Sequence, residues 1–101
     1  MADHQKNDLD PVIHAQARLR IVVALASLDA GEGITFLRLQ ELLDMTAGNL
    51  STHVRKLEDA DYVLVTKSHQ GRTPVTYLEL TKLGRRAFED YGDALRGLLG
   101  T

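Results

Sequence analysis

The segment from Met45 to Leu57, MTAGNLSTHVRKL, has the spacing of a helix, yet one side carries residue types that disfavour helix interiors. At about 100° per residue, Leu50, Val54 and Leu57 cluster on one side. A merely solvated opposite side would be rich in strong helix formers such as glutamate, lysine and alanine. It instead holds small, polar and charged residues, namely Gly48, Asn49, Ser51, Thr52, Arg55, Lys56 and Asp59.

These residue types are suited to contact with nucleic acid. Asparagine pairs with an adenine edge and arginine with a guanine edge, whereas serine and threonine reach phosphates or bases. A residue as small as Gly48 also lets the backbone approach a surface closely. The pattern therefore favours a helix in the major groove of double-stranded DNA. The alternative is an ordinary capping region, where the same types are common, and Thr46 is the expected N-cap in either case.

A second group of cations surrounds the segment 68–74 (SHQGRTP), which we predict to be a loop between two strands. Lys67, His69 and Arg72 lie around its glycine. A basic tip of this kind can insert arginine into a minor groove or clamp phosphates. The alternative is a plain hairpin turn with solvated charge.

The predicted elements place both groups on one scaffold. Asp10 and Pro11 are typical of a helix start, and the glycines after the first helix are typical of a turn. In chain order we predict a helix over 11–28, a turn over 29–33, a short strand over 34–36, helices over 37–43 and 47–60, a strand over 63–67, the loop 68–74, a strand over 75–80 and a last helix over 82–98. This order indicates a winged helix-turn-helix, an α+β fold that is mainly helical.

Length and composition indicate one small soluble domain. The chain has 101 residues, of which 44% are apolar and 26% charged. No apolar run approaches the roughly 20 residues that span a bilayer, and the N-terminus lacks signal-peptide features, so we expect no membrane partner and a cytoplasmic location. We expect a flexible tail over 1–9 and the domain over 10–99. The net charge of −2 means that any DNA binding depends on local positive charge.

No residue pattern predicts catalysis or a bound cofactor. Cysteine is absent and the four histidines share no metal-ligand spacing, so we expect no metal site. Ser51 and His53 point in different directions on a helix, and neither a phosphate-binding loop nor a dinucleotide fingerprint is present. We therefore predict that the protein is not an enzyme. We expect His53 to be partly buried and hydrogen-bonded, with a DNA contact as the alternative.

Several segments together resemble the winged-helix transcriptional regulators of the MarR/ArsR-like group, most closely its small single-domain members. The segments are 34–43 (ITFLRLQELL), 45–58 (MTAGNLSTHVRKLE), 62–63 (YV), 71–77 (GRTPVTY) and 80–85 (LTKLGR), and the resemblance covers nearly all of 10–99. It implies a homodimeric DNA-binding repressor or activator of bacteria or archaea, with a recognition helix over 47–60 and a wing over 68–74. By position it implies that Thr46, Asn49, Ser51, Thr52 and Arg55 face the major groove, that Lys56 lies near the DNA backbone and that Arg72 lies at the wing tip.

The chain departs from this group in features that concern regulation. Metal-sensing members use cysteines, which are absent here, and His4 and His14 are isolated. Larger members have additional helices that enclose a ligand pocket, for which 101 residues leave little room. The sequence therefore leaves a small-molecule effector unknown.

The terminal helices carry more apolar residues than a core of this size can easily cover. Residues 21–26 of the first helix are all apolar, and so are most positions on one side of the last helix. Excess apolar surface predicts an interface, here an isologous dimer with recognition helices roughly 34 Å apart. The predicted interface residues are Ile21, Leu25, Phe88, Tyr91, Leu95 and Leu98. The alternative is a monomer in which both helices wrap the core.

Two functions remain open from the sequence, a DNA-binding transcriptional regulator and a winged-helix module that binds protein. A protein-binding face would present aromatic or aliphatic anchors, and the exposed side of 47–60 has none, which favours DNA. The predicted DNA-binding residues are Thr46, Gly48, Asn49, Ser51, Thr52, Arg55, Lys56, Lys67 and Arg72.

Overall fold

The computed structural model describes residues 8–100. The helices are α1 (Gln16–Ala26), α2 (Phe36–Leu43), α3 (Ala47–Asp59) and α4 (Lys82–Leu99), and the strands are β1 (Ile34–Thr35), β2 (Val63–Gln70) and β3 (Thr73–Leu80). The predicted mainly helical winged helix-turn-helix is therefore confirmed. Residues 1–7 of the predicted tail lie outside the described residues.

The strands form one antiparallel sheet in the order β1-β3-β2. β2 and β3 make a hairpin whose register runs from the pair Val63 and Leu80 to the pair Gln70 and Thr73. β1 pairs with β3 only at Tyr77 and Leu78. Because β1 is so short, the distal half of the hairpin has no third strand beside it and residues 67–74 are exposed. This projecting part, residues 67–74, is called the wing below.

The core forms where α1, α2 and α3 pack against the base of the sheet. The predicted buried stripe of α3 is confirmed, since Leu50, Val54 and Leu57 are all buried. They pack with buried side chains of the other elements, chiefly Ile13, Ile21, Val22, Leu25, Leu39, Val63, Leu78 and Tyr91. Because this inner side is packed in the core, the opposite side of α3 faces solvent.

A tight turn joins α2 to α3. Asp44 ends α2 in the left-handed conformation (φ +53°), which aspartate tolerates better than most residues. Thr46 then caps α3, because its Oγ1 accepts a hydrogen bond from the backbone N–H of Asn49 at 3.1 Å. The predicted N-cap is confirmed, and the turn fixes the angle at which α3 leaves α2.

The first helix is shorter than predicted, since α1 begins at Gln16 rather than at residue 11. Asp10 does accept backbone hydrogen bonds, from Val12 at 2.8 Å and Ile13 at 3.4 Å, but it caps a single turn. Ala15 is extended (φ −140°, ψ 131°), which separates this turn from α1. The fully buried Ile13 lies just before that break, so packing of its side chain overrides the helix-start signal of Asp10 and Pro11.

The predicted loop over 68–74 is also corrected. Its residues 68–70 and 73–74 belong to paired strands, and only Gly71 and Arg72 lie between them. Gly71 has a φ of +63°, as the first position of a two-residue hairpin turn requires. The strand was mistaken for a loop because a projecting hairpin has no buried face and therefore no alternation of polar and apolar residues. Pro74 is tolerated on β3 because β1 ends before reaching it.

Candidate nucleic-acid interface

α3 has two chemically distinct sides. Its buried side is aliphatic, as described above, and every residue predicted to contact DNA on this helix and at its cap is exposed. These residues are Thr46, Gly48, Asn49, Ser51, Thr52, Arg55 and Lys56. Exposed Glu58 and Asp59 lie toward the C-terminal end of α3, whereas the seven residues named above offer an amide, three hydroxyls and two cations around a residue with no side chain. This set of exposed residues is called the α3 face below.

Hydrogen bonds within the helix already use part of this polar capacity. The hydroxyl of Thr52 donates to the carbonyl oxygen of Gly48 at 2.9 Å. Thr46 accepts through its Oγ1 from Asn49, as its capping role requires. The two hydroxyls are thus engaged in opposite senses, one as a donor and one as an acceptor.

A groove of about 510 Å³ separates the α3 face from the sheet. Ser51 and Arg55 of α3 line one wall, and Lys67 of β2 lines the other, so the fold brings together cations that are distant in sequence. Glu58 and Asp59 also line this groove, toward the C-terminal end of α3. Two cations, Arg55 and Lys67, and two carboxylates, Glu58 and Asp59, therefore share this groove.

The cations of the α3 face and the wing are free of ion pairs within residues 8–100. The ion pairs of this part of the chain join Arg38 to Glu41 at 3.9 Å and Arg96 to Asp93. Neither involves Arg55, Lys56, Lys67 or Arg72. Unpaired surface cations are available to phosphate or base acceptors without first breaking a contact within the protein.

The wing carries cations in two places, because Lys67 at its base lines the groove with Arg55, whereas His69 and Arg72 lie nearer its tip. Arg72 occupies the turn at its tip and His69 pairs with Pro74 one step below, and both are exposed. Gln70 Nε2 donates to the hydroxyl of Tyr77 at 3.3 Å, which links the two strands near the tip. Arg72 does not line the groove that Arg55 and Lys67 share, so the predicted site residues form two groups.

His53 connects α3 to α1, as expected for a partly buried, hydrogen-bonded histidine. Its Nδ1 lies 3.2 Å from Nη1 of Arg18. Because a guanidinium can only donate, Nδ1 is the acceptor and the imidazole is the tautomer protonated at Nε2. Arg18 is itself held by its Nε donating to the carbonyl of Val12 at 2.6 Å. This chain of contacts fixes α3 against α1.

Sequence reasoning missed two arginines that position the helix-turn-helix. Arg18 supports His53, and Arg20 Nη2 donates to the carbonyl of Leu43 at the last residue of α2 at 2.5 Å. A cation at the C-terminal end of a helix also interacts favourably with the helix dipole. The sequence shows two arginines in a mostly apolar helix. Their hydrogen-bond partners lie 35 and 23 residues away along the chain, so spacing within the helix does not identify them.

Three of the six predicted interface residues are enclosed within the protomer. Ile21 and Leu25 are 0% and 1% exposed, and Tyr91 is also buried, so these side chains belong to the core of the protomer. Phe88 is half-buried. Leu95 and Leu98 are exposed as predicted, together with Leu83 and Leu99 of the same helix. Four exposed leucines thus lie on α4, whereas α1 exposes Val23 and α2 exposes Leu37 and Leu42.

No three or more histidine, aspartate or glutamate side chains among residues 8–100 form a group that could hold a metal ion. In the same part of the chain, each helix is too short or too polar to cross a membrane.

Comparison with known proteins places this fold in a family. Residues 17–99 match the family model described as a winged helix DNA-binding domain. The uncharacterized protein MJ0432 of Methanocaldococcus jannaschii is 34% identical over 80 residues, which cover 79% of this chain and 84% of that protein.

Solved structures agree with this match. The structure is similar to that of a transcriptional regulator homologue from Pyrococcus horikoshii OT3, with a TM-score of 0.83 and 26% identity, covering 99% of this chain and 96% of that one. It is also similar in fold to the heme sensor protein PefR of Streptococcus agalactiae, with a TM-score of 0.70 and 22% identity, covering 93% of this chain and 61% of PefR. The resemblance to winged-helix regulators is thereby confirmed.

Proposed function

This chain belongs to the winged helix DNA-binding domain family, and we propose that it is a sequence-specific regulator of transcription. In this proposal α3 enters the major groove of double-stranded DNA, and the wing lies on the minor groove or on the phosphate backbone. The observation that carries the proposal is the α3 face, whose small polar residues and unpaired cations are held outward by a fully buried aliphatic stripe.

Base recognition is assigned to the side chains near the middle of the α3 face. Arg55 has donors that match a guanine edge, and Asn49 matches an adenine edge. Ser51 and Thr52 lie between them on the exposed side. These residues supply sequence discrimination in the proposal.

Phosphate contacts are assigned to the cations around the α3 face. Lys56, Lys67 and Arg72 are exposed and free of ion pairs within the described part of the chain, and each can neutralise a phosphate. Thr46 and Gly48, at the start of α3, let the backbone approach the DNA closely. Arg38 already pairs with Glu41, although exposed pairs of this kind contribute little energy and are easily exchanged.

The proposed domain spans residues 10–99 and acts as a homodimer. The exposed leucines of α4 support this assembly, because 58% of Leu98 and 68% of Leu99 remain accessible in the protomer. The protomer is also elongated, with extents of 53, 24 and 22 Å. An isologous contact along α4 would place two α3 helices on one face of DNA, roughly one helical turn apart. Neither catalysis nor a cofactor forms part of the proposal.

Selection of bound duplexes from a random library, followed by Kd measurements on the enriched sequence and its single-base variants, tests this function. We expect Arg55→Ala to weaken binding by about 1–3 kcal/mol when DNA carries the preferred base pair at the position that Arg55 contacts. The sequence preference at that position should also be relaxed. We expect Lys67→Ala to weaken binding to all DNA sequences by the same factor. It should also lower the slope of log affinity against log salt concentration by about 1. Failure to enrich any sequence would contradict the proposed function and would favour a protein-binding module instead.

A further inference from the structure

The hydrogen bond of Thr52 decides which part of its side chain is free. Threonine carries two branches on Cβ, a hydroxyl and a methyl. The hydroxyl of Thr52 donates to the carbonyl oxygen of Gly48, one turn earlier in α3. Since χ1 of a β-branched residue in a helix is stiff and this bond favours one of its wells, the hydroxyl is held against the helix backbone. The hydroxyl has no second proton to donate, and the methyl, Cγ2, is the branch that is free for an apolar contact.

The space in front of Thr52 is open. Residues four apart lie on the same side of a helix, and side chains lean toward its N-terminus, so Thr52 leans over Gly48. Gly48 has no side chain, and a Cβ built there would meet no atom within 4 Å apart from its chain neighbours and the nearby backbone of its own helix. Thr52 is exposed, and no side chain fills the space over Gly48 one turn before it.

We propose that Thr52 recognises the 5-methyl group of a thymine through its Cγ2, by apolar contact rather than by hydrogen bonding. Contact between a threonine methyl and the thymine methyl is one of the ways in which a side chain distinguishes thymine in the major groove. The inference rests on the proposed function, because it requires α3 to lie in that groove. Beyond that function, it specifies that Thr52 contacts a methyl group and that the preferred base at this position is thymine.

The test uses the duplex that the wild-type chain enriches from a random library. Each thymine of that duplex is replaced in turn by deoxyuridine, which removes only the 5-methyl group. Kd is then measured by fluorescence anisotropy for the wild type, Thr52→Val and Thr52→Ser. Valine keeps the methyl and removes the hydroxyl, whereas serine keeps the hydroxyl and removes the methyl. Thr81→Ser is the matched control, because it removes a methyl from the N-cap threonine of α4, which lies outside the α3 face.

We expect one thymine position in each half-site at which deoxyuridine weakens binding of the wild type and of Thr52→Val about fourfold, as burial of one methylene-sized group predicts. Thr52→Ser loses this discrimination and Thr81→Ser keeps it. The proposal is overturned if no position is sensitive, if Thr52→Ser keeps the full penalty, or if Thr52→Val loses it. Absence of any enriched duplex would instead overturn the proposed function, and this inference with it, so the two failures are distinguishable.

Discussion

The carbonyl oxygen of Tyr62 lies so close to Gly84 that a Cβ built on Gly84 would be 2.1 Å from it. The same oxygen accepts a hydrogen bond from the backbone N–H of Thr81 at 3.0 Å, and the Thr81 hydroxyl donates to the carbonyl of Asp61 at 2.6 Å. The turn that follows α3 is thus fixed onto the first turn of α4. This junction sets the orientation of the α3 face relative to the helix that carries the exposed leucines.

Gly84→Ala should strongly destabilise the protein. The new methyl meets backbone atoms of Tyr62, which cannot rotate away, so α4 must shift, and we expect a loss of about 3 kcal/mol in the free energy of unfolding. Gly92→Ala is the matched control in the same helix, because its nearest contact is the flexible end of Arg96 at 3.6 Å. The free energy of unfolding of Gly92→Ala should rise by about 0.5–1 kcal/mol, because alanine has a higher helix propensity than glycine. Urea unfolding measures the stability of both variants. Equal effects of the two substitutions would contradict the close approach of Gly84 to the carbonyl of Tyr62.

Tyr62 should make stability depend on pH in the alkaline range. Burial raises the pKa of Tyr62 to about 12, and the hydrogen bond that its hydroxyl donates to Oδ2 of Asp10 at 2.5 Å adds to this shift. Because the neutral phenol is favoured in the folded state, its contribution is complete below about pH 10, the pKa of an unfolded tyrosine, and is lost as the pH rises toward 12.

The variant Tyr62→Phe tests this dependence. It should cost about 1 kcal/mol below pH 10, the value typical of a lost hydrogen bond. The difference from the wild type should shrink as the pH is raised above 10. Urea unfolding at intervals from pH 7 to the alkaline limit of the assay measures this difference. A difference that stays constant over the whole range would contradict the assigned role of the hydroxyl.

Gly48→Ala should separate folding stability from DNA affinity. Gly48 lies in the first turn of α3 with open space around it, so alanine should stabilise the helix by about 0.5–1 kcal/mol. The added methyl would nevertheless occupy the α3 face and hold the backbone away from DNA. We expect a higher thermal midpoint and weaker binding to the enriched duplex. Gly92→Ala, with similar stabilisation on α4, should bind normally, and unchanged affinity of Gly48→Ala would exclude a close backbone approach.

The exposed leucines of α4 should determine the oligomeric state. Replacing Leu95 and Leu98 together by glutamate places charge on the proposed interface, so the double variant should sediment as a monomer of 11.2 kDa at micromolar concentration. The wild type should sediment at twice that mass. Leu37→Glu alters a leucine on α2 that is more exposed than either of these, and it should leave the dimer intact. A wild type that sediments only as the monomer would contradict the interface.

Local signals predicted the helix-turn-helix well. Thr46 and Thr81 cap helices through contacts only three residues away, and the stripe of Leu50, Val54 and Leu57 needs no knowledge of its partners. Such features depend on spacing within one element, which the sequence states directly.

Features that depend on distant partners could not be predicted in this way. The apolar positions of α1 do not reveal which ones face the core, because α2, α3 and the sheet together determine that Ile21 and Leu25 are enclosed. The contact between Arg18 and His53 joins residues 35 apart in sequence. The wing strands likewise lack an alternating pattern, because no other element covers them.

A salt titration of binding to random duplex DNA tests the central proposal most directly, with the double variant Arg55→Ala, Arg72→Ala measured alongside. We expect the affinity of the wild type to fall steeply as salt increases, since phosphate contacts dominate non-specific binding. The double variant should bind more weakly, with a log–log slope lower by about 1–2. Absence of wild-type binding even at low salt, or an unchanged double variant, would contradict the assignment of the α3 face and the wing to DNA.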